Sequence, residues 1–218
     1  MAKVHKFTFN PFQENTYIVA DDDGTCAIFD PGCYYPQEKE ILAKFIADNK
    51  LKPVRLINTH CHLDHIFGNK FIADTYDLKL EIHKGELPVL DSAPIVCENY
   101  GIPYPDESPQ PGAFLKEGET VEFGSTQLKI LFTPGHSPAS ISFYEPNDKF
   151  LIAGDVLFFD SIGRTDLPGG DYQTLINSIK EQLFPLDNDV IVYSGHGQDT
   201  TIGRERLLNP FLNGNITM

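Results

Sequence analysis

Three histidines and a carboxylate fall within six residues of one another in the run Thr59-His60-Cys61-His62-Leu63-Asp64-His65. Burying several imidazoles and a carboxylate together is costly unless something compensates them. A divalent metal ion does so directly, because neutral imidazole and carboxylate are its natural ligands. If the chain stays extended after a strand, His60 and His62 face the same way. Asp64 and His65 then turn toward a second position as a helix begins. The segment can thus feed two adjacent ions. The competing reading is a solvated polar loop, and four potential ligands in so short a motif weigh against it.

Three further segments end an apolar strand in a turn that bears a candidate ligand. Ile130-Leu131-Phe132 leads to Thr133-Pro134-Gly135-His136, Phe150 to Ala153 leads to Gly154-Asp155, and Val190 to Tyr193 leads to Ser194-Gly195-His196-Gly197. A glycine beside each ligand permits unusual backbone angles and close approach. Together these segments place the candidate ligands at strand ends, where parallel or mixed sheets collect their active sites.

The elements that must position these residues are legible in outline. Strands are predicted over Val4 to Phe9, Thr16 to Ala20 and Thr25 to Asp30, with Asp22-Asp23-Gly24 as a hairpin turn. Pro36 opens a helix with apolar positions Ile41, Leu42, Phe45 and Ile46, and Val54 to Asn58 is a strand running into the histidine cluster. A helix over Gly68 to Tyr76 and a strand over Leu78 to His83 follow. Asp91 to Gly112 reads as a long loop, with prolines at 94, 103, 105, 109 and 111. Loops of that length are often functional. Strands then resume at Val121 to Phe123, Leu128 to Phe132, Ser140 to Tyr144 and Phe150 to Ala153. Helices over Asp171 to Leu183 and Thr201 to Leu212 flank a strand at Val190 to Ser194. This order predicts two mixed α/β halves, sheet packed on sheet with helices outside, in one domain over 1–218.

The chain has 218 residues, 41% hydrophobic and 22% charged, and a net charge of −14. A core of useful size needs no disulfide framework at this length, and so acidic a chain repels a phosphate backbone, so no nucleic-acid partner is expected. Cys26, Cys33, Cys61 and Cys97 form no CxxC pair and read as reduced thiols. No secretory h-region and no apolar run of membrane-spanning length is visible, so a cytoplasmic protein without a membrane partner is expected. The sequence leaves the oligomeric state open. His5 and His83 have no motif around them and read as structural. Tyr193 reads as core, and the Cys61 side chain is expected to point away from its flanking ligands.

The set THCHLDH, PGHS, GDVLF and GHG resembles the metallo-β-lactamase superfamily, over roughly residues 4 to 197. The resemblance implies an αβ/βα four-layer sandwich, two mixed β-sheets face to face with helices outside and metals at one edge. The glyoxalase II (hydroxyacylglutathione hydrolase) branch is most similar, through Gly154-Asp155-Val156-Leu157-Phe158 followed by Gly163-Arg164. That pattern implies His60, His62 and His136 on one metal, Asp64, His65 and His196 on the other, and Asp155 bridging both. Zinc is the expected metal, with iron or manganese as alternatives. The common zinc β-lactamases carry a cysteine where Asp155 stands and lack the Asp-His pair, which argues against antibiotic hydrolysis as the main activity. Standard glyoxalase II members continue into a helical domain that supplies glutathione-binding surface. Here 21 residues follow Gly197, so the chain resembles the short single-domain glyoxalase II-like proteins of bacteria.

Two such metals would lower the pKa of a shared water and supply a hydroxide nucleophile for a thioester or ester carbonyl. Asp155 and Asp64 are the expected catalytic carboxylates, the first setting the metal separation and the second orienting the nucleophile. A small acyl thioester is the expected substrate. Arg164, whose planar fork suits a carboxylate, is the candidate substrate-binding residue, against a structural ion pair to Asp166. The runner-up is an iron oxidoreductase. Persulfide dioxygenases resemble the same scaffold and would hold a single Fe(II) on His60, His136 and Asp155.

Overall fold

The computed structural model describes residues 1–104 and 106–213. They fall into two compact units, Met1–Leu115 with Glu122–Gln127, and Lys116–Val121 with Leu128 onward.

In the first unit β1 (Lys3–Phe9), β2 (Glu14–Ala20) and β3 (Thr25–Phe29) form an antiparallel meander. Asp22 to Gly24 make the second turn, where Gly24 takes φ +84 and donates its amide to the Asp21 carbonyl at 3.0 Å. The helix α1 (Pro36–Asp48) starts on a proline whose missing N–H has no partner to lose there, and it buries Leu42 and Ile46. Crossovers through helices make β4 (Lys52–Ile57), β5 (Leu80–His83) and β6 (Ala113–Leu115) parallel to β3, giving the order β1-β2-β3-β4-β5-β6. Ile18, Ile28, Leu56 and Ile82 from the sheet pack with Leu42, Ile46, Ile72 and Leu90 from the helices as one core.

The directions of these strands decide what meets at the sheet's edge. The end of β1, the start of β2 and the ends of β3, β4 and β5 all lie on one side. Asn10, Glu14, Asp30, Asn58, Thr59 and Glu86, scattered over the sequence, are all buried polar residues at or just beyond those points. Beyond β4 the short helix α2 (Leu63–Ile66) begins, followed by α3 (Asn69–Tyr76).

The long loop expected over Asp91 to Gly112 is shorter than that. The first ten of those residues, up to Tyr100, belong to helix α4 (Leu87–Tyr100). Pro88 sits in its first turn, where proline costs nothing, and Pro94 forfeits only one donor while Leu90, Ala93 and Cys97 keep a helical buried face. Gly101 ends the helix at φ +66 with its amide on the Glu98 carbonyl. The remaining stretch contains Pro105, which lies outside the described residues.

The second sheet is built from β7 (Thr120–Phe123), β8 (Thr126–Phe132), β9 (Ile141–Glu145) and β10 (Phe150–Gly154). After a separate hairpin of β11 (Leu157–Phe158) and β12 (Ser161–Ile162), β13 (Ile191–Ser194) and β14 (Thr200–Thr201) complete it in the order β14-β13-β10-β9-β8-β7. Helix α5 (Tyr172–Ser178) is capped by Asp171, accepting from the Thr174 amide at 2.7 Å, and runs on as a π-helical turn over Ile179–Leu183. The last helix, α6 (Ile202–Leu208), is shorter than expected because Asn209 precedes Pro210 and takes an extended ψ of 119°. Leu151, Val190 and Val192 pack with Leu175, Ile179, Leu183 and Ile202 as this unit's core. No helix among the described residues is long and apolar enough to cross a membrane.

Candidate metal centre

In the second unit β8 and β10 are both antiparallel to β9, and β13 is parallel to β10. Three strands therefore run the same way and release their following residues, His136, Asp155 and His196, at one edge. The strand directions bring these candidate ligands to the same edge. Asp155 Oδ2 lies 3.5 Å from His136 Nε2 and 3.4 Å from His196 Nε2. His136 Nδ1 donates to the Arg164 carbonyl at 2.7 Å, which fixes the tautomer that presents Nε2 as the ligand atom. His136 and Asp155 are buried, while His196 is half-buried with Phe158 edge-on at 6.2 Å.

Gly163 explains how the chain after β12 comes so close to this group. A Cβ there would lie 2.0 Å from the Asp155 carbonyl oxygen and 3.1 Å from His136 Nδ1. Gly163→Ala is therefore expected to displace Asp155 and the Arg164 carbonyl together. It should lower activity at least about tenfold and cost about 1–3 kcal/mol of stability. Paired turnover and urea-unfolding measurements check this, and wild-type values for both would show that the backbone has room.

In the first unit the motif leaves β4 extended and turns into α2, with His62 as the residue before its first turn. His60 and His65 are fully buried, their rings 4.1 Å apart, and His62 lies at right angles to His60 at 4.8 Å. Asp64, half-buried, places Oδ2 3.7 Å from His65 Nε2. The sequence-predicted ligands of each unit are thus gathered.

Asp30, not singled out from the sequence, orients two of them. Its Oδ1 accepts from the Thr59 amide at 2.7 Å, and its Oδ2 faces both the Thr59 hydroxyl at 2.6 Å and His65 Nδ1 at 3.1 Å. The Thr59 hydroxyl, donating to Asp30, accepts from His60 Nδ1 at 3.1 Å. His65 thereby commits Nδ1 to the Asp30 carboxylate and His60 commits Nδ1 to the Thr59 hydroxyl that Asp30 holds, which leaves Nε2 of each as the candidate ligand atom. Asp30, His60 and His65 together offer ligand-type atoms within 4.8 Å of one another. Both Asp30 oxygens are already engaged by Thr59 and His65, which suits an orienting role.

Three other residues support the motif. Asn10 donates to the carbonyls of Gly32 and Asp64, both at 2.9 Å. Asn58 donates to the His65 carbonyl at 3.0 Å. Glu86 accepts from the Cys61 amide at 3.0 Å, and burial pushes the Cys61 thiol well above its ordinary pKa. Glu14, also fully buried, has its carboxyl pushed well above the usual range by burial. The Thr16 hydroxyl lies 3.0 Å from Glu14 Oε2 and 2.9 Å from the Asp30 carbonyl oxygen, tying Glu14 to the end of β3.

Arg164 lies elsewhere in role. Its exposed guanidinium forms a bidentate pair with Asp166, both bonds 2.7 Å, and holds that carboxyl down at about 2. His83 Nδ1 accepts from the Gly85 amide at 3.2 Å, His5 packs on Phe45 at 4.8 Å, and Tyr193 lies against Phe150 at 6.1 Å. The donor set fits divalent metal: imidazoles whose Nδ1 is held by a hydrogen bond, accompanied by carboxylates.

Comparison with known proteins supports the same chemistry. The family model of the metallo-β-lactamase superfamily matches residues 9–196. Hydroxyacylglutathione hydrolase GloC of Haemophilus influenzae is 38% identical over 203 residues, covering 93% of this chain and 94% of its own. The crystal structure of BLEG-1, a B3 metallo-β-lactamase, superposes with a TM-score of 0.87 at 36% identity, covering 97% of this chain and all of that one. The structure of TTHA1623 in a di-iron-bound form does so at 0.85 and 36%, covering 95% of this chain and all of its own. With its two mixed sheets, its ligand sets at their edges and these relatives, the chain belongs to the metallo-β-lactamase superfamily of metallo-hydrolases and has that superfamily's fold.

Proposed function

We propose that the seven ligands act as one two-metal centre and that the chain, as a single domain over 1–218, hydrolyses small acyl thioesters. His60, His62 and His136 take one ion, Asp64, His65 and His196 the other, and Asp155 bridges them. Zinc is the first choice, with iron or manganese as alternatives. The observation that carries this reading is at Asp155 Oδ2, 3.5 Å and 3.4 Å from two imidazole Nε2 atoms. With Nδ1 of His136 donating to Arg164, its Nε2 turns a lone pair toward a carboxylate oxygen beyond good hydrogen-bond length. A cation turns that repulsion into attraction.

When bound, divalent ions lower the pKa of water toward neutrality and polarise a carbonyl oxygen. Asp155 sets the spacing of the two ligand sets, and Asp64 accepts a proton-side hydrogen bond from the attacking water and orients it. The water releases one proton to solvent as its oxygen bonds to the acyl carbon, the C–S bond breaks and the thiolate leaves with the electron pair, and the acid formed gives up the other proton to solvent or to the thiolate. A thiol of ordinary pKa, about 8.5, departs with no dedicated general acid. The name of the GloC relative supports a thioester. A β-lactam is the second reading, favoured by the name of BLEG-1. An amine leaving group asks for a proton donor, which makes it the less suited substrate. Four buried thiols, none in a disulfide, support the cytoplasm as the compartment.

Arg164 binds a substrate carboxylate by exchanging Asp166 for it. Because an exposed ion pair is worth about 0.2–1 kcal/mol, the exchange gains little. A glutathione thioester and a short-thiol thioester of the same acyl group should therefore differ in kcat/KM by less than about tenfold, or about 1.4 kcal/mol. The assay runs both beside a cephalosporin. A thousandfold preference for glutathione would show a dedicated pocket, and faster cephalosporin turnover would favour the second reading. No hydrolysis of any of them, with iron bound and oxygen consumed on adding a persulfide, would replace the proposal with a dioxygenase.

A further inference from the structure

The hairpin of β11 and β12 touches the metal ligands of the second unit at three points. Phe158 stands edge-on to His196. Gly163, just past β12, packs on Asp155 and His136. The next residue, Arg164, supplies the carbonyl that sets the His136 tautomer. Two hairpin pairs, Leu157 with Ile162 and Phe158 with Ser161, are too few to hold such positions alone.

What holds them lies on α6 and around it. Glu205 is fully buried and accepts from four donors: the Asp160 amide at 3.0 Å, the Thr200 hydroxyl at 2.5 Å, Arg204 Nη1 at 2.6 Å and Asn209 Nδ2 at 2.9 Å. Four donors fill the lone-pair sites of a carboxylate. Asp160 is the hairpin's turn residue, at φ +54. Asn209 also donates to the Ser161 carbonyl at 2.9 Å, and Arg204 grips the Asp160 carboxylate with bonds of 2.8 and 2.9 Å while stacking 3.5 Å over Phe159. On the other side Ser194, two residues before His196, donates its hydroxyl to the Leu157 carbonyl at 2.7 Å. The hairpin is thus clamped between α6 and the end of β13.

We infer that Glu205 is a positioning residue for the metal centre, holding the β11–β12 hairpin so that its following carbonyl fixes the His136 imidazole. The inference rests on the two-metal reading for its metal readout only. A buried carboxylate that needs four donors is a costly fastener for a hairpin turn, and the contacts of the hairpin and the two residues after it with three candidate ligands give that cost a purpose.

The test uses the full chain as wild type, Glu205→Gln, Thr200→Ala and Leu183→Ala. The last truncates the core of the same unit and reports what loss of stability alone does. Zn2+ affinity is measured against a chromophoric chelator, and the His136 Nδ1 proton is followed by NMR in metal-free protein. Glu205→Gln sets an amide N–H2 against at least one donor. It is expected to weaken Zn2+ binding about 10–100-fold and to broaden or shift the His136 resonance. Thr200→Ala, removing one donor of four, should weaken binding by about fivefold. Leu183→Ala should lower the unfolding temperature and leave both readouts in place. Wild-type Zn2+ affinity and an unmoved His136 resonance in Glu205→Gln would overturn the inference, as would equal losses in Leu183→Ala. If Glu205→Gln fails to fold, Thr200→Ala decides by the same criteria. Should wild type itself take up no Zn2+, the metal reading fails, and the His136 resonance still decides whether Glu205 positions that ring.

Discussion

Asp155→Ala is expected to bind fewer metal ions per chain than the wild type and to lose at least about a thousandfold in kcat/KM. The carboxylate oxygen that faces both His136 and His196 has no substitute within its own unit. Without it the two ligand sets lose their shared anion, and several kcal/mol of transition-state stabilisation go with it. His83→Ala is the matched control. His83 lies at the end of β5, where its Nδ1 accepts the Gly85 amide, outside the candidate ligand set, so metal content and turnover should stay near wild type. Elemental analysis after gel filtration, alongside thioester turnover, measures both. Full metal content and near-normal turnover in Asp155→Ala would remove Asp155 from the bridge.

Asp30→Asn should weaken metal binding about 10–100-fold without touching a ligand. The backbone at Asp30 is left-handed, φ +46, a conformation asparagine tolerates, so the substitution changes the side chain and not the turn. Its new amide must point donor hydrogens at the Thr59 hydroxyl and His65 Nδ1, or at the Thr59 amide. Each buried donor left unmet costs about 1–3 kcal/mol, so the urea midpoint should fall as well. Chelator titration separates the two effects. Unchanged affinity with a lower midpoint would reduce Asp30 to a structural residue.

The difference between Asp155 and Asp30 shows what a sequence can carry. Asp155 follows an apolar strand and stands beside a glycine, a local pattern that survives in one dimension. Asp30 also ends a strand, but its partners are 29 and 35 residues away and meet it only because β3 and β4 are parallel neighbours. Asn10, Glu14 and Glu86 were hidden for the same reason. The role of the residue after Gly163 was hidden differently: its side chain suggested substrate binding, whereas its carbonyl is what touches His136. The longer strands were legible, because alternation and turn residues are local, whereas the two- and three-residue strands β6, β11, β12 and β14 are too short to show a pattern. Helix α4 was not, because two prolines outweighed a buried face of Leu90, Ala93 and Cys97.

The ligands of the second unit hang from strands β8, β10 and β13, whereas Phe158, Arg164 and their surroundings belong to the hairpin and the chain after it. The side chains proposed to hold metal are therefore borne by backbone hydrogen-bonded across a sheet, and the side chain proposed to meet substrate, Arg164, by backbone crossing its rim. Side chains on that rim can change while the strands keep their register and the backbone carbonyl of Arg164 keeps its hold on His136. A lineage with this arrangement can change what it cleaves without first relearning how to bind its metals, so close relatives that share nearly every ligand can still come to act on unlike molecules.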